Sequence, residues 1–289
     1  MVQVIAHRGA SAYAPENTLA SFELASSMGS DWFELDCTLS KDGEVVVIHD
    51  DNVDRVSDGR GKVSEKTLAE LKRLDAGAWK DPRFAGERIP TLDETLAFAK
   101  EHGIGVYIEV KSSHDEDIIK ENIVKLAGSC EALTQETKSR ILELIRSSDT
   151  PTLELATKTI DLVRKHRMED KVVIQSFSPI VCLIALAEVP RIRSELLGCR
   201  NKDKPEEWKL LLRWLDWMRP DGFNIDIGGV DKQLVDYCHG RGMTMAVWTV
   251  DVETDIQRIA RWGVDRIITN RPDACLKLLK GPLKNNLGI

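Results

Sequence analysis

The stretch that decides the fold runs from Gly222 to Thr269: GFNIDIGGVDKQLVDYCHGRGMTMAVWTVDVETDIQRIARWGVDRIIT. It holds three β-rich runs, Gly222–Ile227, Met243–Val250 and Asp265–Thr269. Between them lie two helical patterns, Asp231–Cys238, which ends near Gly240, and Asp251–Trp262, which stops at Gly263. Glycine just past a helix is the usual stop signal, because it accepts the left-handed backbone that the end requires. Strand, capped helix, strand with short connections is the signature of a parallel crossover.

The same unit recurs toward the N-terminus. Further strands are predicted at Val2–Ala6, Trp32–Leu39, Ile104–Val110, Lys171–Ser176 and Ser194–Gly198, which makes eight in all. A helix over Thr18–Met28 ends at Gly29, and Thr91 with Glu94 forms a capping-box pattern for a helix that stops at Gly103. Thr150-Pro151 and Ser178-Pro179 each read as an N-cap followed by proline in the first turn. Eight such units favour an α/β fold of the closed (β/α)8 TIM-barrel type over an open doubly wound sheet. No GxGxxG turn follows the first strand, as an open dinucleotide-binding sheet would more often show. The length, 289 residues, suits one barrel of about 250 residues with additions.

Two segments interrupt the alternation, at about 50–90 after the second strand and at 112–149 after the third. The first carries a helical pattern at Ser64–Leu74, the second at Ile118–Leu126 and Ser139–Ile145. Both follow a strand C-terminus, the face where barrel enzymes keep their active sites. The 112–149 segment is therefore expected to overhang the pocket. The whole chain, 1–289, is expected to be a single domain with two insertions.

Composition narrows the function. Hydrophobic residues are 42% and charged residues 30%, a globular profile. Forty Lys and Arg against 47 Asp and Glu leave a net charge of −7, which argues against nucleic acid as a partner. No apolar run approaches the roughly 18 residues of a membrane span. Met1–Ala6 is too short for a signal peptide, and the six cysteines are scattered without a CxxC pair. Buried free thiols in a reducing cytoplasm are the expectation.

The histidines divide into two groups. His102, His166 and His239 lie in last helical turns, where an imidazolium suits the helix dipole. His114 sits in a polar loop. His7 and His49 each end an apolar β run, which puts them at the C-terminal rim of a barrel. Asp42-Gly43 reads as a two-residue hairpin turn that sets Asp36 opposite His49. Strand alternation then gathers Glu34, Asp36, Thr38, Val47 and His49 on one face and Phe33, Leu35, Cys37, Leu39, Val46 and Ile48 on the other. A solvated edge hairpin is the plainer alternative. Glu109 and Lys111 share a face of the third strand, beside the second. Three converging carboxylates repel unless something neutralises them. A divalent cation does so, and an all-oxygen set suits Mg2+, Ca2+ or Mn2+. With Arg8 and Lys111 as fixed positive charge and two imidazoles for proton transfer, the set fits cleavage of a phosphate ester.

These residues resemble the glycerophosphodiester phosphodiesterase family. The matching stretches are Ile5-Ala-His-Arg-Gly9, Ala14-Pro-Glu-Asn-Thr18, Phe33-Glu-Leu-Asp36, Asp42-Gly43 with Val46-Val-Ile-His-Asp50, Ile108-Glu-Val-Lys111, Gln175-Ser-Phe177, Val247-Trp-Thr249 and Thr269-Asn-Arg-Pro272. The resemblance implies a hydrolase that cuts glycerophosphodiesters to glycerol 3-phosphate and an alcohol. It implies that Glu34, Asp36 and Glu109 hold the metal, that His7 and His49 are the acid/base pair, and that Arg8 and Lys111 bind phosphate. Glu16 is a candidate to orient His7 and Arg8, while Asn17 or Thr18 caps the first helix. Trp248 and Phe177 are candidates to pack against bound substrate. Trp208, Trp214 and Trp217 fall at helical spacing and read as packing. Other readings are a lysophospholipase D-like activity on lipid substrates, a non-catalytic diester-binding barrel, and a glycosidase with paired carboxylates. Two histidines at the rim argue against pure binding. Carboxylates two apart on one strand do not flank a sugar ring.

Overall fold

The computed structural model describes residues 2–113, 116–128, 130 and 132–280. Its strands are β1 (Gln3–Ala6), β2 (Trp32–Leu39), β3 (Val45–Val47), β4 (Gly105–Val110), β5 (Val172–Ser176), β6 (Arg193–Gly198), β7 (Gly222–Asp226), β8 (Thr244–Trp248) and β9 (Arg266–Thr269). Their order is β1-β9-β8-β7-β6-β5-β4-β2, and β1 pairs with β2 to close the ring. All these pairings are parallel, and β3 alone adds antiparallel on the outside of β2. The protein is a TIM barrel with one extra hairpin strand.

The helices are α1 (Leu19–Ser27), α2 (Leu68–Leu71), α3 (Leu92–Glu101), α4 (Asp117–Ala127), α5 (Gln135–Arg146), α6 (Pro151–His166), α7 (Pro179–Glu188), α8 (Pro205–Met218), α9 (Lys232–His239), α10 (Glu253–Trp262) and α11 (Pro272–Lys280). The caps read from the sequence at Thr91, Thr150 and Ser178 are present, Thr18 and not Asn17 caps the first helix, and Asp231 is a further cap, on α9. Thr18 and Thr91 make capping boxes, and Thr150 and Ser178 cap helices with proline in the first turn. Asp251 does not cap α10, whose N-cap is Val252.

Two layers of apolar side chains make the body. The larger lies between barrel and helices and includes Phe22, Phe33, Leu35, Cys37, Leu96, Ile108, Trp217 and Phe223. The smaller fills the barrel axis with Ile5, Tyr107, Val173, Ala246 and Ile268. Trp214 and Trp217 are buried and Trp208 packs against the larger core, as helical spacing suggests. Cys37, Cys182, Cys238 and Cys275 are buried thiols, while Cys130 and Cys199 are exposed. His102, His166 and His239 sit at helix ends, where they bond to Phe98 O, Asp93 and Asp265. His114 lies outside the described residues.

The hairpin differs from the sequence reading by one residue. Cys37 pairs with Val47 and Leu39 with Val45, so Asp36 stands opposite Ile48, not His49. The turn is a three-residue loop, Lys41-Asp42-Gly43, closed by Ser40 N–H to Glu44 O, with Gly43 at φ 79°. Val45 and Val47 therefore join the main core, and Val46 and Ile48 face the other way. There they meet Val53, Val56, Val63, Leu71, Ala76 and Ile89 of segment 50–90, which has its own small core.

The helix in that segment is shorter than Ser64–Leu74. Thr67 is extended and starts a fresh capping box with Glu70, so a 3-10 turn at Val63–Glu65 and the four-residue α2 replace one helix. The 112–149 segment also departs from expectation. Ile119, Ile123, Ala127, Ile141 and Ile145 bury one face of α4 and of α5 in the main core. Arg146 pairs with Glu188 of α7, and Trp217 Nε1 of α8 donates to Cys130 O at 2.9 Å. Amphipathic helices follow their apolar faces, and these take the segment to the barrel flank instead of over the mouth.

Candidate active site

The carboxylates come together because of barrel register. Asp36 on β2 is the direct neighbour of Glu109 on β4, and Glu109 of Gln175 on β5. Glu34, two residues before Asp36, points to the same interior. Their oxygens lie within 4.8 Å of one another. Exposure is 2% for Glu34, 1% for Asp36 and 9% for Glu109.

Two cations already brace this triad. Lys111 Nζ lies 2.7 Å from Glu109 Oε1 and 2.8 Å from Asp36 Oδ1. Arg8 Nε lies 3.2 Å from Asp36 Oδ2, and Arg8 Nη1 donates to Glu16 at 2.8 Å. Arg8 takes a left-handed backbone, φ 54°, which turns its own N–H onto Glu34 Oε2 at 3.0 Å. Asn17, also left-handed at φ 58°, sends its amide to Asp36 Oδ2 at 2.9 Å. Thr18 is the helix cap, so Asn17 is free for this task.

Charge balance within the triad is uneven. Burial, then repulsion from Asp36 and Glu109, raises the Glu34 carboxyl well above its ordinary range. Burial and Asp36 raise Glu109 as well. Burial also opposes ionisation of Asp36, but Lys111 and Arg8 outweigh it and hold the group low. Asp36 Oδ1 and Arg8 Nε are buried without a well-directed hydrogen bond, despite their ion pairs. Three buried carboxylates, two of them reluctant to ionise, with an undirected oxygen among them, can hold a divalent cation. The donor set is all oxygen, which fits Mg2+, Ca2+ or Mn2+ and not a structural zinc centre.

Both rim histidines reach the same cavity. It is lined by the polar residues His7, Arg8, Glu34, His49, Glu109, Lys111 and Gln175 and by the apolar residues Phe177, Leu197, Trp248 and Ile268. His49 arrives there although the hairpin register puts it on the other face, because β3 ends at Val47 and the chain bends through Ile48–Asp50. Its Nδ1 lies 2.6 Å from Asp50 Oδ1. His7 Nε2 is 4.0 Å from Glu34 Oε2 and its Nδ1 2.7 Å from Asn270 Oδ1. Burial, with Arg8 beside it, lowers His7 to about 4, so the ring is neutral at pH 7. Phe177 and Trp248 meet edge to face at 5.8 Å. A second, open polar cleft of about 400 Å³ adjoins at His7 and Arg8 and is walled by Ser11, Ala12, Glu16, Asp251, Asn270 and Arg271. No described residue of 112–149 lines either space.

All ten residues singled out in the sequence gather here. Glu16 bonds to Arg8, not to His7. Several supporting residues escaped that reading. Asp50 had a signal, as the neighbour of His49. Arg55 had none. It comes from segment 50–90 and grips Asp50 and Glu16 with four N–H bonds of 2.6–3.1 Å. Gln175 Nε2 donates to Glu34 Oε1 at 3.3 Å, and Asn224 Nδ2 to Gln175 Oε1 at 2.7 Å.

Comparison with known proteins agrees with this geometry. The glycerophosphoryl diester phosphodiesterase family matches residues 7–274. A glycerophosphodiester phosphodiesterase of Caldanaerobacter subterraneus is 34% identical over 96% of this chain and 97% of its own. One of Bacillus subtilis is 30% identical over 97% of this chain and 87% of its own. A solved phosphodiesterase of Oleispira antarctica, in complex with the product sn-glycerol-3-phosphate, superposes with a TM-score of 0.76 at 28% identity, covering 96% of this chain and 97% of that one. The chain belongs to the glycerophosphoryl diester phosphodiesterase family. It is a phosphoric diester hydrolase, and glycerophosphodiesters are its substrate class.

Proposed function

We propose that the enzyme hydrolyses glycerophosphodiesters to glycerol 3-phosphate and an alcohol, with His7 and His49 as the acid/base pair and a divalent cation at Glu34, Asp36 and Glu109. The observation that carries this reading is a cluster of three buried carboxylates, of which Glu34 and Glu109 line one cavity with His7, His49, Arg8 and Lys111, while Asp36 lies behind them paired with Arg8 and Lys111. The cation, when bound, supplies Lewis-acid polarisation of the phosphoryl oxygens. Arg8 and Lys111 add positive charge where the phosphate must sit. His7, neutral, accepts or returns a proton at Nε2. His49, held by Asp50, serves the ester oxygen on the opposite side of phosphorus. Gln175 and Asn17 keep Glu34 and Asp36 in place, and Trp248 and Phe177 exclude water from one flank.

The cavity measures about 160 Å³. A cavity of about 150 Å³ holds a benzene-sized molecule, so there is room for a glyceryl unit and none for a whole acyl chain. The glyceryl arm, common to all these substrates, occupies the enclosed side, and the variable alcohol faces the open cleft. Phe177, 42% exposed at the rim, supports a second reading in which a lipid chain runs outward over it, as in a lysophospholipase D-like activity. No helix among the described residues is long and apolar enough to cross a membrane. An assay of glycerol 3-phosphate and of free alcohol, run with several glycerophosphodiesters and their lyso-lipid counterparts, separates the two. Turnover of the deacylated diesters is expected to dominate. Turnover of acylated substrates alone would overturn the first reading.

A further inference from the structure

His7 is aimed by side chains from two loops on the far side of β1. Asn270, just after β9, accepts at Oδ1 from His7 Nδ1 at 2.7 Å. Its amide nitrogen donates to Asp251 Oδ2 at 2.6 Å. Asp251, in the loop after β8, takes the Asn270 backbone N–H and the Thr269 hydroxyl on its other oxygen, both at 2.8 Å. Ser11 Oγ lies 2.7 Å from Asn270 Oδ1 and 2.7 Å from His7 O, and its one proton serves either.

The polarity of this chain follows from donor and acceptor chemistry. An ionised carboxylate only accepts, so the Asn270 amide must turn its NH2 toward Asp251. Its carbonyl oxygen then faces His7 and also only accepts. The single proton of a neutral His7 ring must therefore sit on Nδ1. Nε2, 4.0 Å from Glu34 Oε2, is left bare on the cavity side. The reversed amide would put two acceptor oxygens 2.6 Å apart, a contact that repels.

We propose that Asp251 and Asn270 are positioning residues that lock His7 in the Nδ1–H tautomer and present Nε2 to the cavity as a lone pair. The proposal rests on the reading of His7 as a proton-transfer group. It accounts for why Asp251, at the head of α10, does not cap that helix. It also gives the open cleft walled by Asp251 and Asn270 a direct bearing on catalysis. A His in the wrong tautomer cannot take a proton at the reacting atom, and in a serine protease that fault alone costs about four decades.

The test is long-range 1H–15N correlation on 15N-histidine-labelled, Mg2+-supplemented enzyme at about pH 8, with His7 assigned from a His7→Gln variant. The wild-type ring is expected to carry its proton on Nδ1 alone. Asn270→Leu is expected to release the ring to the Nε2–H form or a mixture and to lower kcat by about 100-fold, as for a reacting group about 1 Å out of place. KM is expected to stay within about threefold. Asp251→Asn keeps an amide beside Asn270 but removes the anion that orients it, so a tautomer mixture and a smaller kcat loss are expected. A wild-type His7 protonated on Nε2 overturns the proposal. So does a folded Asn270→Leu or Asp251→Asn enzyme with the wild-type tautomer and kcat. If Asn270→Leu fails to fold, the wild-type spectrum and Asp251→Asn decide. Full activity in His7→Gln would instead sink the proton-transfer reading and leave the tautomer result standing by itself.

Discussion

Arg55→Lys should damage catalysis far more than stability. Arg55 spans two carboxylates that in turn hold two site residues. Its Nε and Nη2 donate to Asp50 at 2.6 and 3.1 Å, and its Nη1 and Nη2 donate to Glu16 at 2.8 Å each. Asp50 holds His49 and Glu16 holds Arg8. Lysine keeps the charge but offers one compact ammonium, which cannot reproduce a fork toward two partners. The Arg55 side chain is 46% exposed. Solvent screening then limits the stability loss to about 1 kcal/mol, or about 2–4 °C in melting temperature for a domain of this size. Loss of orientation is costlier. A shift of about 1 Å at a reacting group costs about 100-fold, so kcat should fall about 10–100-fold. The assay pairs steady-state release of glycerol 3-phosphate with a thermal melt. Activity of the Arg55→Lys enzyme within about threefold of wild type, or a drop in kcat matched by collapse of the melt, would refute the idea that segment 50–90 clamps the rim through Arg55.

His7→Ala and His49→Ala should each lower kcat by about two to four decades, the range for losing a general acid or base, with an unchanged circular-dichroism spectrum. Gly9→Ala should cost more stability than Gly29→Ala in urea unfolding. Both have positive φ, 78° and 84°, but a Cβ at Gly9 would come within 2.6 Å of the Ser21 backbone, and one at Gly29 meets nothing within 4 Å. Strain common to both is about 1–2 kcal/mol, and Gly9→Ala adds about 1–3 kcal/mol of overpacking. Equal losses would deny the close approach. His7 should also make stability fall in mild acid. Its folded value of about 4 lies below the ordinary 6.5, so between those limits the unfolded chain binds a proton that the fold refuses. Stability is then lost as pH drops from about 6.5 to about 4 and levels off below, with a ceiling of about 3 kcal/mol. The side chain is 16% exposed, which lowers that ceiling. His7→Gln should flatten the slope, and an unchanged slope would place the titration elsewhere.

The barrel could be read from the sequence because its signals are local. Trp32–Leu39 is strand over the predicted span, and the caps at Thr18, Thr91, Thr150 and Ser178 depend on residues within three or four of each other. Glu34, Asp36 and Glu109 could be placed together because strand alternation and neighbouring parallel strands settle it. The hairpin slipped by one because Asp42-Gly43 fits a two-residue or a three-residue loop, and that choice flips every face of β3. His49 still reached the site through a bend that periodicity does not encode. Asp251 opens the helical pattern Asp251–Trp262, and nothing local marks it as anything but the start of a helix. Its true partner, Asn270, lies 19 residues on. Arg55 gave no signal, because its worth depends on Glu16, 39 residues away. The 112–149 segment follows a rim strand, yet its apolar faces drew it to the flank.

The proposed chemistry depends on a cation held by Glu34, Asp36 and Glu109. Arg8 and Lys111 already pair with these carboxylates and offer the rival arrangement, a site neutralised by salt bridges alone. The measurement that separates them is release of glycerol 3-phosphate from a glycerophosphodiester by exhaustively EDTA-treated enzyme, before and after titration with Mg2+, Ca2+ or Mn2+. A cation site requires the stripped enzyme to be inactive, one of these ions to restore it, and Glu34→Gln to need a higher concentration of that ion. Full turnover by the stripped enzyme, with no response to any of the three ions, would contradict it.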